Sequence, residues 1–153
     1  MSSAEAWGLP QTQMFGVASF EDAPLWRDYD PFEHAEALGA PVVFNNTLPH
    51  PLVAAYSRRR GAIFVRPGQV HAIERCAVAH ELVHWEHEDI GTTRTQEDRA
   101  DRISTLRLIR PSRLRQAALT TPDLGMIALE LQVTEKVMRL YARMVRNGTL
   151  TGA

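Results

Sequence analysis

Val78-Ala79-His80-Glu81-Leu82-Val83-His84-Trp85 is the segment from which the rest of the chain is read. On a helix, residues i and i+4 stand one above the other, so His80 and His84 share a face and can grip one metal ion. Glu81 lies about 100° around the helix from His80, within reach of a reacting water without itself being a ligand. The apolar neighbours Val78, Ala79, Leu82, Val83 and Trp85 predict a buried helix. Two histidines in such a place need polar partners, and a metal ion satisfies both.

A hydrolytic zinc site takes three protein ligands and keeps one position open. The third ligand is expected from Glu97, which opens the next helix as Glu97-Asp98-Arg99-Ala100-Asp101 after a loop over 89–95. If that loop turns the chain back, the two helices run antiparallel and Glu97 faces the histidines. Asp101, one turn on, is placed to accept a hydrogen bond from the far ring nitrogen of a ligating histidine. His87 shares the histidine face but lies about 10.5 Å along the axis from His80, too far for one ion to bridge. Glu86 and Glu88 point away from that face, and Cys76, one turn before His80, reads as a small buried hydrophobe. Zinc is the expected metal, with manganese as the alternative for a His-His-Glu set.

Working outward, Asp30-Pro31 with Glu33 and Gly39 marks a short capped helix. Pro41–Phe44 is a strand candidate, and runs over 52–57 and 62–66 form a hairpin around Arg58-Arg59-Arg60-Gly61, a solvated turn. The metal-site helix spans about 70–88 and the next about 96–109, ending before Pro111. Two shorter helices, about 123–131 and 134–146, complete the chain, stopped by Asn147-Gly148. The fold class is therefore α+β, with a short sheet packed on the histidine helix and a helical C-terminal region. The expected organisation is a loosely ordered arm over 1–28, a zincin-like core over 29–116, and helix-turn-helix-like helices over 117–153 packed on it.

The 153 residues suit one compact domain, and the formal net charge of -1 offers no general attraction for nucleic acid or membrane. A single cysteine, Cys76, excludes an internal disulfide and fits a reducing compartment. The first twenty residues lack the basic and apolar regions of a secretion signal, and no stretch has the length of a membrane span, so a cytoplasmic protein is expected.

Ala79-His80-Glu81-Leu82-Val83-His84, then Gln96-Glu97 with Ala100-Asp101, then Leu108-Ile109, and the tail from Ile127 to Thr134 together resemble the ImmA/IrrE metallo-endopeptidases. The resemblance runs from about Val42 to Val145. It implies that His80, His84 and Glu97 are zinc ligands, that Glu81 is the general base, and that the substrate is a helix-turn-helix repressor. It also implies a phage or mobile-element setting and a role in transcription regulation. The chain departs from the family at Asp101-Arg102-Ile103-Ser104, where many members carry Asn followed by Phe-Ala, and at Arg107, which interrupts an apolar run.

Ile127-Ala128, Leu131, Val133-Thr134 and Met138 have helix-turn-helix spacing. Lys136, Arg139, Arg143 and Arg146 supply positive charge, offset by Glu130 and Glu135, so bracing the core or docking a substrate is favoured over DNA reading. Two other readings remain at this point. One is a DNA-binding regulator whose metal site is structural or sensory; the other is a protease fold kept as a protein-docking module. The donor that would stabilise an oxyanion is not identified; His50, Tyr56 and His71 are candidates.

Overall fold

The structure is a computed structural model that describes residues 28–91 and 93–148. The expected N-terminal arm lies outside the described residues except for Asp28. Among those described, six helices and a three-stranded sheet give the expected α+β class. They fall into two compact units, one of residues Asp30–Ser104 and one of residues 105–148 with Asp28 and Tyr29.

The first unit begins with α1, Pro31–Leu38. The Asp30 carboxylate accepts the Phe32 and Glu33 N–H groups at 2.9 and 3.3 Å, satisfying donors that a helix start leaves unpaired. Gly39 closes the helix at φ 77°, a left-handed conformation that costs a glycine nothing. β1 is Val42–Phe44, β2 is Ala54–Ser57 and β3 is Ala62–Val65. The predicted hairpin is present, with β2 antiparallel to β3, and β1 lies parallel on the other side of β3. Central β3 therefore carries the fully buried Ile63 and Val65.

Helix α2, His71–His87, packs on β2, β3 and α1. Val78 and Leu82 face a core of Ala35, Ala40, Ala54, Ile63 and Val65, with Phe32, Tyr56 and Trp85 at its margin. This burial fixes which side of α2 turns inward, and so where its histidines point. Truncating fully buried Leu82 to alanine removes side-chain contacts and leaves a cavity. Leu82→Ala is expected to cost about 2–5 kcal/mol, read as a lower urea midpoint of the metal-free protein.

Glu88 ends α2 in the left-handed region, φ 52°, and the Asp89 N–H returns to the His84 carbonyl at 3.1 Å. Gly91, at φ 69°, supplies a second left-handed residue in the reversal. Helix α3 then covers Arg94–Leu108, beginning two residues before the expected start and shortening the loop.

The second unit holds α4 (Pro111–Ala118), α5 (Leu124–Leu131) and α6 (Glu135–Arg146), with α5 packed against both α4 and α6. Helix α4 was not expected. Pro111 at its first turn and buried Leu114 and Ala117 define it, while its arginines dilute the apolar pattern. The chain passes from the first compact unit to the second between Ser104 and Thr105, within α3. The α5–turn–α6 arrangement has the predicted spacing: Asp123 caps α5, Gln132 makes the turn at φ 55°, and Thr134 caps α6. Met138, Tyr141 and Met144 form the buried face of α6.

Candidate metal centre

Helix α2 sets the His80 and His84 rings edge to face, 4.9 Å apart, with their Nε2 atoms 3.2 Å from each other. Helix α3 brings Glu97 to the same point. Its Oε2 lies 3.1 Å from His80 Nε2, and its Oε1 lies 2.9 Å from His84 Nε2. Among the described residues these three form a group able to hold a metal ion. One ligand atom from each of the three lies within 4.8 Å of the others, close enough for a single ion with bonds of about 2.0–2.1 Å to reach all three.

The far side of each ring explains the donor chemistry. His80 Nδ1 meets Asp101 Oδ1 at 3.0 Å, as the sequence led one to expect, and His84 Nδ1 meets Asp89 Oδ2 at 2.7 Å. An ionised carboxylate only accepts, so both Nδ1 atoms donate, and a neutral ring then presents its Nε2 lone pair. With both rings neutral, two lone pairs and the Glu97 carboxylate converge, and either a proton on His80 or a divalent cation relieves the repulsion among them; the residues fit a divalent metal.

The two supporting carboxylates differ. Asp101 is 34% exposed, whereas Asp89 is 5% exposed and is clamped on its other oxygen by Arg99. Burial pushes the Asp89 carboxyl up, but the hydrogen bonds from Arg99 and His84 outweigh it, and its pKa is lowered. For His80, burial pulls downward, yet the bond to Asp101 and the charges of Glu81, Asp101 and Glu97 leave its pKa raised.

These shifts have opposite signs for the metal-free fold. Asp89 stabilises it above its ordinary value of 3.8, and that contribution is lost as pH falls through the lower folded-state value. His80 stabilises it below 6.5, and that contribution is lost as pH rises through its raised value. The urea midpoints of metal-free wild type and Asp89→Asn are therefore expected to differ at neutral pH and converge in acid below 3.8. A gap independent of pH would refute the assignment.

Glu81 leaves the histidine triangle and turns toward the sheet, where its Oε2 accepts the Tyr56 backbone N–H at 2.9 Å. Burial is the main cause of its raised pKa, with Glu97 adding to it, against the opposing pull of His80, the Tyr56 N–H and His84. Tyr56 was weighed as a side-chain donor; the structure brings its main chain to Glu81.

The remaining candidates stand apart. His87 Nδ1 lies 2.9 Å from the Val83 carbonyl and is not in the ligand group. Cys76 is buried and also outside it. His71 is the first residue of α2, about 13 Å along the axis from His80, and His50 is exposed. Arg58, Arg59 and Arg60 form the exposed hairpin turn, with Arg60 over the Phe64 ring at 5.5 Å.

Asp89 and Arg99 escaped the sequence reading. The available signal was a carboxylate five residues after the second histidine, followed by an arginine two residues after the third expected ligand. Compared with models of known families, with curated proteins and with solved structures, the chain matches none.

Proposed function

We propose that this chain is a metal-dependent endopeptidase, with zinc held by His80, His84 and Glu97 and with Glu81 as the general base. The observation that carries this reading is the convergence of three acceptor groups whose outer partners, Asp101 and Asp89, fix both rings to present Nε2. When bound, zinc supplies a Lewis acid that lowers the pKa of water and polarises a carbonyl. A purely structural zinc site favours cysteine and is closed by a fourth protein ligand. Here three groups converge, and Glu97 is 38% exposed, leaving its side of the centre open to a substrate.

Glu81 does the proton work. Its bond to the Tyr56 N–H immobilises one oxygen, so the other is free to take a proton from water and return it to a departing amine.

The resemblance to the ImmA/IrrE enzymes supplies the substrate class, a helix-turn-helix repressor, and a cytoplasmic setting. No described helix is long and apolar enough to cross a membrane. Metal analysis after zinc reconstitution tests the centre. Near-stoichiometric zinc is expected in wild type and only trace zinc in His84→Ala and Glu97→Ala. Zinc retained by Glu97→Ala would move the third ligand elsewhere, and none in wild type would end the proposal.

A further inference from the structure

A second site lies in the helical unit. A groove of about 480 Å³ is lined by Leu124 at the start of α5 and by Lys136, Arg139, Ala142, Arg143 and Arg146 along α6. Positions 136, 139, 143 and 146 follow a helical repeat, so their side chains form one stripe about 15 Å long, opposite the buried Met138, Tyr141 and Met144. All four cations are exposed.

The charge is local to this unit. Residues 105–148 hold eight arginines and lysines against three carboxylates, a net +5 in a chain whose total is -1. Glu135 pairs with Arg139 at 2.9 Å, while Lys136, Arg143 and Arg146 form no ion pair among the described residues.

A helix-turn-helix that reads DNA enters the major groove with the N-terminal end of its second helix, and its backbone contacts favour open helix N-termini. Here that end carries Glu135. The start of α5 is closed by the Asp123 carboxylate, which accepts the Met126 N–H at 3.0 Å. A phosphate backbone would meet both carboxylates, while the uncompensated Arg143 and Arg146 lie at the far end of α6. The groove floor, Leu124 and Ala142 with the aliphatic stems of the basic residues, is apolar and suited to a side chain.

We propose that this groove docks an acidic segment of a partner protein. An apolar side chain of the segment rests on Leu124 and Ala142, and its carboxylates pair with Lys136, Arg143 and Arg146. The inference is independent of whether the metal centre is catalytic.

Fluorescence anisotropy with the full chain tests it, using a fluorescein-labelled peptide of repeating Glu-Glu-Leu. The same peptide with lysine for glutamate and a random duplex DNA serve as comparisons. The acidic peptide is expected to bind more tightly than either comparison, and less tightly as salt is added. The Arg143→Glu/Arg146→Glu variant should weaken it by about tenfold or more. Arg143→Gln/Arg146→Gln, with folding checked by circular dichroism, should weaken it by less. Absence of binding, or equal affinity in both double variants, overturns the proposal. Duplex binding tighter than the peptide and lost in the same variants also overturns it, giving this face to nucleic acid.

Discussion

On the proposed reading, Glu81→Gln is expected to bind zinc as the wild type does and to show no hydrolytic activity. Glutamine preserves the shape of the side chain and an oxygen able to accept the Tyr56 N–H, so the turn of Glu81 toward β2 survives. It lacks the basicity needed to accept a proton at neutral pH. General-base catalysis is worth about 10²–10⁴-fold, and the loss in turnover should fall in that range. Because Glu81 is not among the groups that converge on the metal position, metal content and thermal midpoint should stay near wild type. Cleavage of a quenched peptide library, run beside metal analysis on the same preparations, gives both readouts. Undiminished cleavage by a zinc-loaded Glu81→Gln would remove Glu81 from the reaction. Simultaneous loss of zinc would make it a ligand instead.

Asp89→Ala should have the second largest effect, although Asp89 touches no metal position. It orients His84 through Nδ1 at 2.7 Å, and it holds Arg99, which stands two residues after Glu97 on α3. One buried carboxylate therefore sets a ring of α2 and fastens the helix that carries the third ligand. Loss of such an outer partner typically lowers metal affinity about 10–100-fold. Competition with a chromophoric chelator should show that loss for Asp89→Ala. Asp89→Asn, which can still accept from Nδ1 but is uncharged, should fall between the variants. Asp101→Ala should be milder, since Asp101 is more exposed. Equal affinities for Asp89→Ala and wild type would leave Asp89 as packing only.

What the sequence made legible follows the kind of information each feature needs. The i, i+4 histidines, the Asp30 cap and the Gly39 stop depend on residue type at fixed spacing, and the structure places them as read. Glu97 and Asp101 required only that the chain reverse between two helices. The reversal itself was harder to foresee in detail, because Glu88 takes a left-handed conformation that glutamate rarely adopts, and this brings Asp89 back beneath His84. The Tyr56 contact is made by a backbone N–H, which no residue type announces. Helix α4 was missed because Arg113 and Arg115 interrupt its apolar spacing.

Among the described residues, every side chain that shapes the candidate metal position lies from His80 to Asp101, on one helical hairpin. The sheet adds a single main-chain bond from Tyr56. Such a cluster is transferable as a unit: one segmental exchange carries all of its side chains into another scaffold, provided that scaffold buries the Val78 and Leu82 face of α2 as this sheet does. What such a transfer must preserve is the phase of α3 relative to α2. One residue gained or lost inside α3 ahead of Glu97 would swing that carboxylate about 100° off the histidines. Within the loop between the helices Asp89 is the residue that cannot vary, and the helix that follows cannot vary in register.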